Sequence, residues 1–97
     1  MLFYIGWKAR AGQAPSEAEK ALEIFSRWEP PAGMEVKGMW VRPDGGGFGL
    51  FEVSSAEVIY EGTAPWSEAY LDYDIAPVVE IEKGVEILNA AIAFRNG

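Results

Sequence analysis

The sequence predicts a single α+β domain over residues 1–97, in which two helices cover one face of a four-stranded antiparallel sheet and a further helix follows at the C-terminus. Three observations support this prediction. Short apolar runs alternate with amphipathic helical patterns, a Pro/Gly-rich turn joins two of the runs, and capping-box patterns precede two of the helices. A chain of 97 residues also has the usual size of one domain.

The first part of the chain predicts a strand followed by a helix. Residues 1–8 (MLFYIGWK) form a continuous apolar run, which is typical of a strand buried on both faces. Ser16 and Glu19 have the spacing of a capping box, in which each side chain satisfies a backbone N–H of the other residue. Pro30 and Pro31 end the helix. Its apolar residues share one face: Ala18, Ala21, Leu22, Phe25 and Trp28.

A β-hairpin is predicted in the middle of the chain. Residues 35–41 and 48–53 are two apolar runs of strand length, and residues 42–47 (RPDGGG) separate them. The proline fixes its own φ angle and the glycines supply the positive φ angles that tight turns need. The two runs are therefore expected to pair antiparallel.

The remainder predicts a short helix, a fourth strand and a final helix. A capping-box pattern at residues 54–57 opens a helix to about Glu61. Residues 70–75 alternate apolar and acidic side chains, as expected of a strand with one solvated face, and residues 85–94 show a wide apolar helical face. The resulting order, β-α-β-β-α-β followed by a helix, predicts a ferredoxin-like arrangement.

The predicted sheet carries apolar side chains on both faces, although two helices can cover only one. Strand alternation puts Leu2 and Tyr4 on one side of the first strand and Phe3 and Ile5 on the other, and the third strand (48–53) divides in the same way. A large uncovered apolar face promotes association. We therefore expect a homodimer. The wide apolar face of the last helix leaves two alternatives open: the helix folds back over its own sheet, or it embraces the partner.

Composition excludes several classes of protein. The chain has no cysteine and no histidine, which excludes a disulfide scaffold, a cysteine nucleophile, a zinc finger and a Ser-His-Asp triad. Its net charge of −7 disfavours nucleic acid as a partner. No apolar run approaches the about 20 residues of a membrane span. The N-terminal apolar run lacks a preceding basic segment, so we expect no signal peptide and a cytoplasmic protein.

Two pairs of acidic residues are interpreted as a solvated edge rather than a metal site. Asp72 and Asp74, like Glu80 and Glu82, lie two residues apart, a spacing that puts strand side chains on one face. Calcium or magnesium can use such oxygens, but no ligand-rich loop accompanies them. We therefore expect no metal and no cofactor.

Several motifs support a resemblance to a known family. They are Met1-Leu2-Phe3, Gly38-Met39-Trp40, Phe48-x-Leu50-Phe51-Glu52 and Trp66-Ser67-x-x-x-Leu71-Asp72-Tyr73-Asp74-Ile75-x-Pro77-Val78. The sequence resembles a bacterial family of short proteins known only as a domain of unknown function, and it is similar to the dimeric α+β barrel superfamily. This resemblance implies a ferredoxin-like fold and a dimer in which two sheets face each other. It implies no reaction, and relatives in the superfamily include cofactor-independent monooxygenases, isomerases and ligand-binding regulatory domains.

Four residues are predicted to line a ligand pocket: Trp40, Glu52, Trp66 and Tyr73. An aromatic cleft suits a flat or apolar ligand, whereas the alternative is that the tryptophans pack the core and interface and donate their indole N–H groups to carbonyls. Glu52 lies among apolar neighbours, so burial would raise its pKa and suit it to act as a general base. The alternative is a strand-end glutamate bound to a backbone N–H or an arginine.

Two functions from different classes follow. The first is a homodimeric module that binds an apolar or aromatic small molecule or that serves only in assembly. The second is a cofactor-independent monooxygenase or isomerase acting on an aromatic or polyketide-like substrate. A cavity of about 300 Å³ or more that contains Glu52 or a tyrosine hydroxyl would favour the enzyme. A closed, fully packed interior without an inward polar group would favour a structural dimer.

Overall fold

The computed structural model describes residues 1–67 and 70–97, which form four strands and three helices. In chain order these elements are β1 (Leu2–Ala9), α1 (Pro15–Arg27), β2 (Met34–Val41), β3 (Gly47–Val53), α2 (Ala56–Thr63), β4 (Leu71–Pro77) and α3 (Ile81–Arg95). The order β-α-β-β-α-β followed by a helix confirms the predicted α+β, ferredoxin-like arrangement.

The four strands form one antiparallel sheet in the order β2-β3-β1-β4. β1 lies in the middle, with Phe3 opposite Phe51 of β3 and opposite Pro77 of β4. β2 and β4 are therefore the two edge strands. The acidic residues Asp72 and Asp74 of β4 are exposed, which places negative charge along one edge and discourages strand addition there.

Several element boundaries differ from the sequence prediction, and neither predicted capping box forms its side-chain hydrogen bond. α1 begins at Pro15, with Ala14 as its N-cap residue, so Ser16 lies inside the first turn and makes no capping hydrogen bond. Proline is favoured at the first helical position because its φ angle is already helical and no backbone N–H there needs a partner. Ser55 does occupy the N-cap position of α2, again without a side-chain cap. β4 continues to Pro77, and the last helix begins at Ile81 rather than Val85.

The core lies between α2 and the sheet face that carries the odd-numbered residues of β1. Ile5, Phe51 and Val53 of the sheet pack with Val58 and Ile59 of α2, and all five are buried. Partly buried side chains of β1, β2 and β4 surround them: Phe3, Met34, Val36, Met39 and Tyr73. We call this side of the sheet the helix face.

A cluster of aromatic rings attaches α1 to the same side. The rings of Phe25, Trp28 and Trp66 have centroids 6.0 to 6.5 Å apart. Trp66 Nε1 donates to the carbonyl of Ala21 in α1 at 3.1 Å, and Trp28 Nε1 donates to the carbonyl of Gly62 in α2 at 3.1 Å. Each of these two indole N–H groups has the backbone carbonyl partner that the packing interpretation expects.

α3 extends away from the sheet. Every residue of α3 is exposed except Gly84, which is half-buried. The molecule is accordingly elongated, with extents of 57 × 30 × 21 Å. In this single chain the last helix does not fold back over the sheet, so the first of the two alternatives raised by its wide apolar face is not what the structure has.

Candidate functional site

The sheet surface that points away from α1 and α2 is apolar, and we call it the open face. Its central residues are Leu2 and Tyr4 of β1, Trp40 of β2, Phe48 and Leu50 of β3, and Ala76 of β4. Trp40 is 50% exposed and the other five are half-buried by their neighbours within the sheet. No helix or strand of residues 1–67 and 70–97 packs over this surface. The sequence prediction of a sheet that is apolar on both sides is therefore confirmed.

Three aromatic rings form a row across the open face. Tyr4 stacks on Phe48 with ring centroids 5.8 Å apart and an interplanar angle of 25°. Phe48 in turn stacks on Trp40 at 5.2 Å and 27°. The row therefore runs from the central strand β1 over β3 to the edge strand β2. We call these three rings the aromatic row.

Two glycines allow the outer rings of this row to lie against the sheet. A Cβ atom at Gly6 would lie 2.7 Å from Tyr4 Oη, and a Cβ atom at Gly38 would lie 2.5 Å from the six-membered ring of Trp40. Any side chain at these positions would push the rings outward, because such contacts are shorter than van der Waals distance. Because a glycine lies two positions from each of these aromatic residues, their rings lie flat on the open face.

A register shift in β2 decides which face Trp40 occupies. Val36 pairs with Phe51 on the helix face, whereas Gly38 pairs with Leu50, so Lys37 is an extra residue between the two pairs. A bulge of this kind reverses the side to which the following side chains point. Met39 therefore joins the core and Trp40 joins the open face.

Two open grooves lie on this side of the molecule. The larger has a volume of about 450 Å³. Its walls are Leu2, Tyr4, Leu50, Ala76 and the segment that leads into α3, namely Val78, Val79 and Glu80. The second groove, of about 340 Å³, lies at the other end of Tyr4 and adds charged residues from two strands and the hairpin: Lys8, Arg42, Asp72 and Asp74. Tyr4 lines both grooves, Tyr73 lines the second and Glu52 lines neither.

The charges around the open face are largely paired with each other. Arg42 Nη2 lies 2.8 Å from Asp44 Oδ2, and Arg10 Nε lies 3.1 Å from Asp72 Oδ1. At the opposite end, the N-terminal ammonium group lies 2.7 Å from Glu52 Oε1. The paired charges leave an apolar centre with a polar rim, the distribution found in interfaces and ligand sites.

The four residues predicted to share a pocket lie on opposite sides of the sheet. Trp40 and Glu52 are on the open face, whereas Trp66 and Tyr73 are on the helix face. The expected single pocket is therefore not formed within one chain. The bulge at Lys37 turns Trp40 to the open face. Trp66 instead packs against α1, where its indole donates to the carbonyl of Ala21. Ligand binding by each residue stays a prediction, and only Trp40 belongs to the aromatic row.

The environment of Tyr73 clearly perturbs the titration of its hydroxyl. Its hydroxyl donates to the carbonyl of Thr63 at 3.4 Å, and the ring packs against the core. Removal from water raises the pKa of Tyr73 well above its usual value, because burial disfavours the phenolate. The hydroxyl is consequently neutral and occupied by a backbone carbonyl, which is the environment of a structural tyrosine.

Glu52 lies near the end of β3 and has a charged partner. Its side chain is 46% exposed and accepts a hydrogen bond of 2.7 Å from the N-terminal ammonium group. The partner expected from the sequence is a backbone N–H or an arginine, and the partner in the structure is neither. Its action as a general base stays a prediction.

Within residues 1–67 and 70–97, no group of three or more acidic side chains is placed to hold a metal ion. None of the helices in those same ranges combines the length and hydropathy of a membrane span.

The residues that sequence reasoning missed as site residues are Tyr4, Phe48 and Leu50. Part of the signal was present. Phe48 and Leu50 share the strand parity of Glu52, and Tyr4 and Trp40 each lie two residues from a glycine. The register shift that aligns Trp40 with them depends on how β2 pairs with β3, and no local pattern in the sequence reveals it.

Comparison with known proteins gives a match to a family of unknown function. The model of a family described as a domain of unknown function, DUF3303, matches residues 1–92. No curated protein matches the chain. The match agrees with the resemblance to a domain of unknown function, and it extends over all four strands and most of α3.

Proposed function

Because the chain belongs to the DUF3303 family, whose function is unknown, we propose a function from the open face itself: the protein is a homodimeric binding module. Two copies cover each other's open faces, and the chamber between the sheets holds a flat aromatic molecule against the aromatic row. The observation that carries this proposal is the exposed apolar surface opposite the helices, with three stacked rings at its centre.

A second copy is the occupant that the open face fits best. A surface that matches itself under a two-fold axis needs no other partner, and most soluble oligomers are closed symmetric homodimers. Two copies with a net charge of −7 each repel each other. The ion pairs at the rim reduce this repulsion, because each places a cation beside a carboxylate. The central residues of the face are uncharged, so this repulsion is kept away from the contact.

The aromatic row supports a flat aromatic molecule as the ligand. Its rings lie close to the strands, so the accessible surface is wide, shallow and rich in π-faces. Flat aromatic molecules gain stacking energy on such a surface in addition to apolar burial. The two grooves beside Tyr4, of about 450 and 340 Å³, are within the size range of small-molecule sites. Covering by a second sheet would close them from water.

The test uses a neutral fluorescent probe, N-phenyl-1-naphthylamine, whose emission rises in apolar sites. We expect saturable binding, weakened about fivefold by Phe48→Leu, because one stacked aromatic pair contributes about 1 kcal/mol beyond its buried area. The matched control is Phe25→Leu. Phe25 is also a half-exposed ring stacked on a tryptophan, but it lies on α1 at the other side of the sheet. Equal loss in both variants, or none in Phe48→Leu, would overturn the proposed ligand site.

One observation favours the enzymatic alternative, a cofactor-independent monooxygenase or isomerase. The hydroxyl-bearing residue Tyr4 lines both grooves, and a phenol can donate or accept a proton at a substrate. Tyr4→Phe separates the two functions because it keeps the ring in the aromatic row and removes only the hydroxyl. A binding module retains probe affinity in this variant. An enzyme that depends on the hydroxyl would retain substrate binding and lose turnover.

A further inference from the structure

α3 exposes an amount of apolar surface that is unusual for a helix in a soluble chain. Six large apolar side chains of α3 are between 40% and 87% exposed. Four of them recur at intervals of four, three and four residues and form one stripe along the helix: Ile81, Val85, Leu88 and Ile92. Ile87 and Phe94 form a second stripe beside it.

We propose that α3 is an arm that packs on the second copy of this chain, where its apolar stripe closes the side of the chamber between the two open faces. This inference rests on the proposed homodimer and goes beyond it, since it assigns a partner to a helix outside the open face. Two copies related by a two-fold axis exchange their arms reciprocally, so each arm covers the other subunit.

The segment that leads into α3 connects the two surfaces. Val78 N donates to the carbonyl of Leu2 at 3.0 Å, which fixes this segment to the central strand. Val78 and Val79 then form a wall of the groove of about 450 Å³, together with residues of the open face. The apolar stripe of α3 therefore begins where the open face ends. A second copy seated on the open face would meet the start of this helix.

The dimensions and area of α3 fit a second copy. A helix of 15 residues is about 22 Å long. A sheet of four strands is about 14 Å wide between its outer strand axes, so the arm is long enough to span the side of the chamber. Six side chains that each expose on the order of 100 Å² supply about 600 Å² of apolar surface. A stable interface needs about 800 Å² per partner, so the arm and the open face together are sufficient.

The charges of α3 also favour a second copy over an anionic surface. Residues 81–95 contain two acidic and two basic residues, so α3 adds no net charge and the rest of the chain carries the whole of the −7. A neutral helix can dock on an acidic copy without repulsion. Helices that lie on anionic membranes are rich in lysine and arginine on their polar side, and α3 has only Lys83 and Arg95.

The direct test is nuclear magnetic resonance of a sample in which half of the chains carry ¹³C and half do not. Isotope-filtered spectra then report only contacts between chains. We expect intermolecular contacts from the methyl groups of Val85, Leu88 and Ile92. A dimer whose intermolecular contacts involve Leu50 but no methyl group of α3 would overturn the arm and leave the proposed dimer intact. A monomeric protein without intermolecular contacts would overturn both.

Matched variants give a second readout on the full chain. Leu88→Glu puts a charge in the apolar stripe, whereas Asn89→Glu puts the same charge on the neighbouring polar side of α3. We expect Leu88→Glu to raise the dimer dissociation constant at least tenfold and Asn89→Glu to change it less than threefold. Because both residues are exposed in the single chain, neither variant removes a core contact. Equal dissociation constants for the two variants would overturn the proposal.

Discussion

A charge at the centre of the open face should dissociate the proposed dimer without unfolding the chain, and Leu50→Glu is the sharpest such change. Leu50 lies in β3 beside Tyr4 and opposite Gly38, on the side of the sheet away from the helices. It is half-buried within its own chain. The substitution therefore removes mainly the burial that a second copy would complete, and the hydrophobic core on the helix face keeps all its side chains.

The magnitude follows from symmetry, because each dimer contains the change twice. Completing the burial of a half-buried leucine contributes about 1 kcal/mol, or about 2 kcal/mol for the pair. Two carboxylates that lose water without gaining a partner cost at least another 2 kcal/mol. A total of about 4 kcal/mol corresponds to a dissociation constant raised on the order of a thousandfold.

The assay is sedimentation equilibrium of wild type and variant over a dilution series, with circular dichroism to show that the variant stays folded. Leu22→Glu is the matched control, because Leu22 is 71% exposed on α1 and lies on the opposite side of the molecule. We expect this control to dissociate like wild type. A dissociation constant that is unchanged by Leu50→Glu, or raised equally by Leu22→Glu, would refute the assignment of the open face as the interface.

Two further predictions concern the helix face. Trp66→Phe should lower the free energy of unfolding by about 1–3 kcal/mol, because the buried site loses both ring volume and the hydrogen bond to Ala21. Trp40→Phe should lower it by less than about 1 kcal/mol in a monomeric background. Urea unfolding of both variants in the Leu50→Glu chain measures the two losses, and equal losses would contradict this prediction. Stability should fall as pH rises through about 10 because the raised pKa of Tyr73 keeps it protonated in the folded chain while the unfolded chain releases the proton. Urea midpoints between pH 8 and 11 should therefore fall less steeply for Tyr73→Phe than for wild type. The control Tyr60→Phe changes a ring that is 72% exposed and should keep the wild-type slope. Identical slopes for wild type and Tyr73→Phe would contradict the linkage between the Tyr73 proton and stability.

Element order and the two-sided sheet could be predicted because both follow from local periodicity. Alternation along β1 and β3 separates Leu2 and Tyr4 from Phe3 and Ile5 without any knowledge of tertiary structure. The segment between β2 and β3 is rich in proline, aspartate and glycine, which favour turns over helices and strands. These features made the ferredoxin-like arrangement accessible from the sequence.

The composition of the site could not be predicted, because it depends on pairings between distant segments. The bulge at Lys37 moves Trp40 to the open face, and the choice between the two registers is made by the fit of β2 on β3. Trp66 is buried because its indole reaches a carbonyl of α1, 45 residues earlier in the chain. The direction of α3 depends on only three residues after β4, and no periodic pattern covers so short a segment.

The central claim is that two chains associate, and native mass spectrometry of the wild-type protein measures this association directly. At micromolar concentration we expect a mass close to twice 10.7 kDa, with any retained aromatic molecule visible as an added mass. A single species of 10.7 kDa under the same conditions would contradict it.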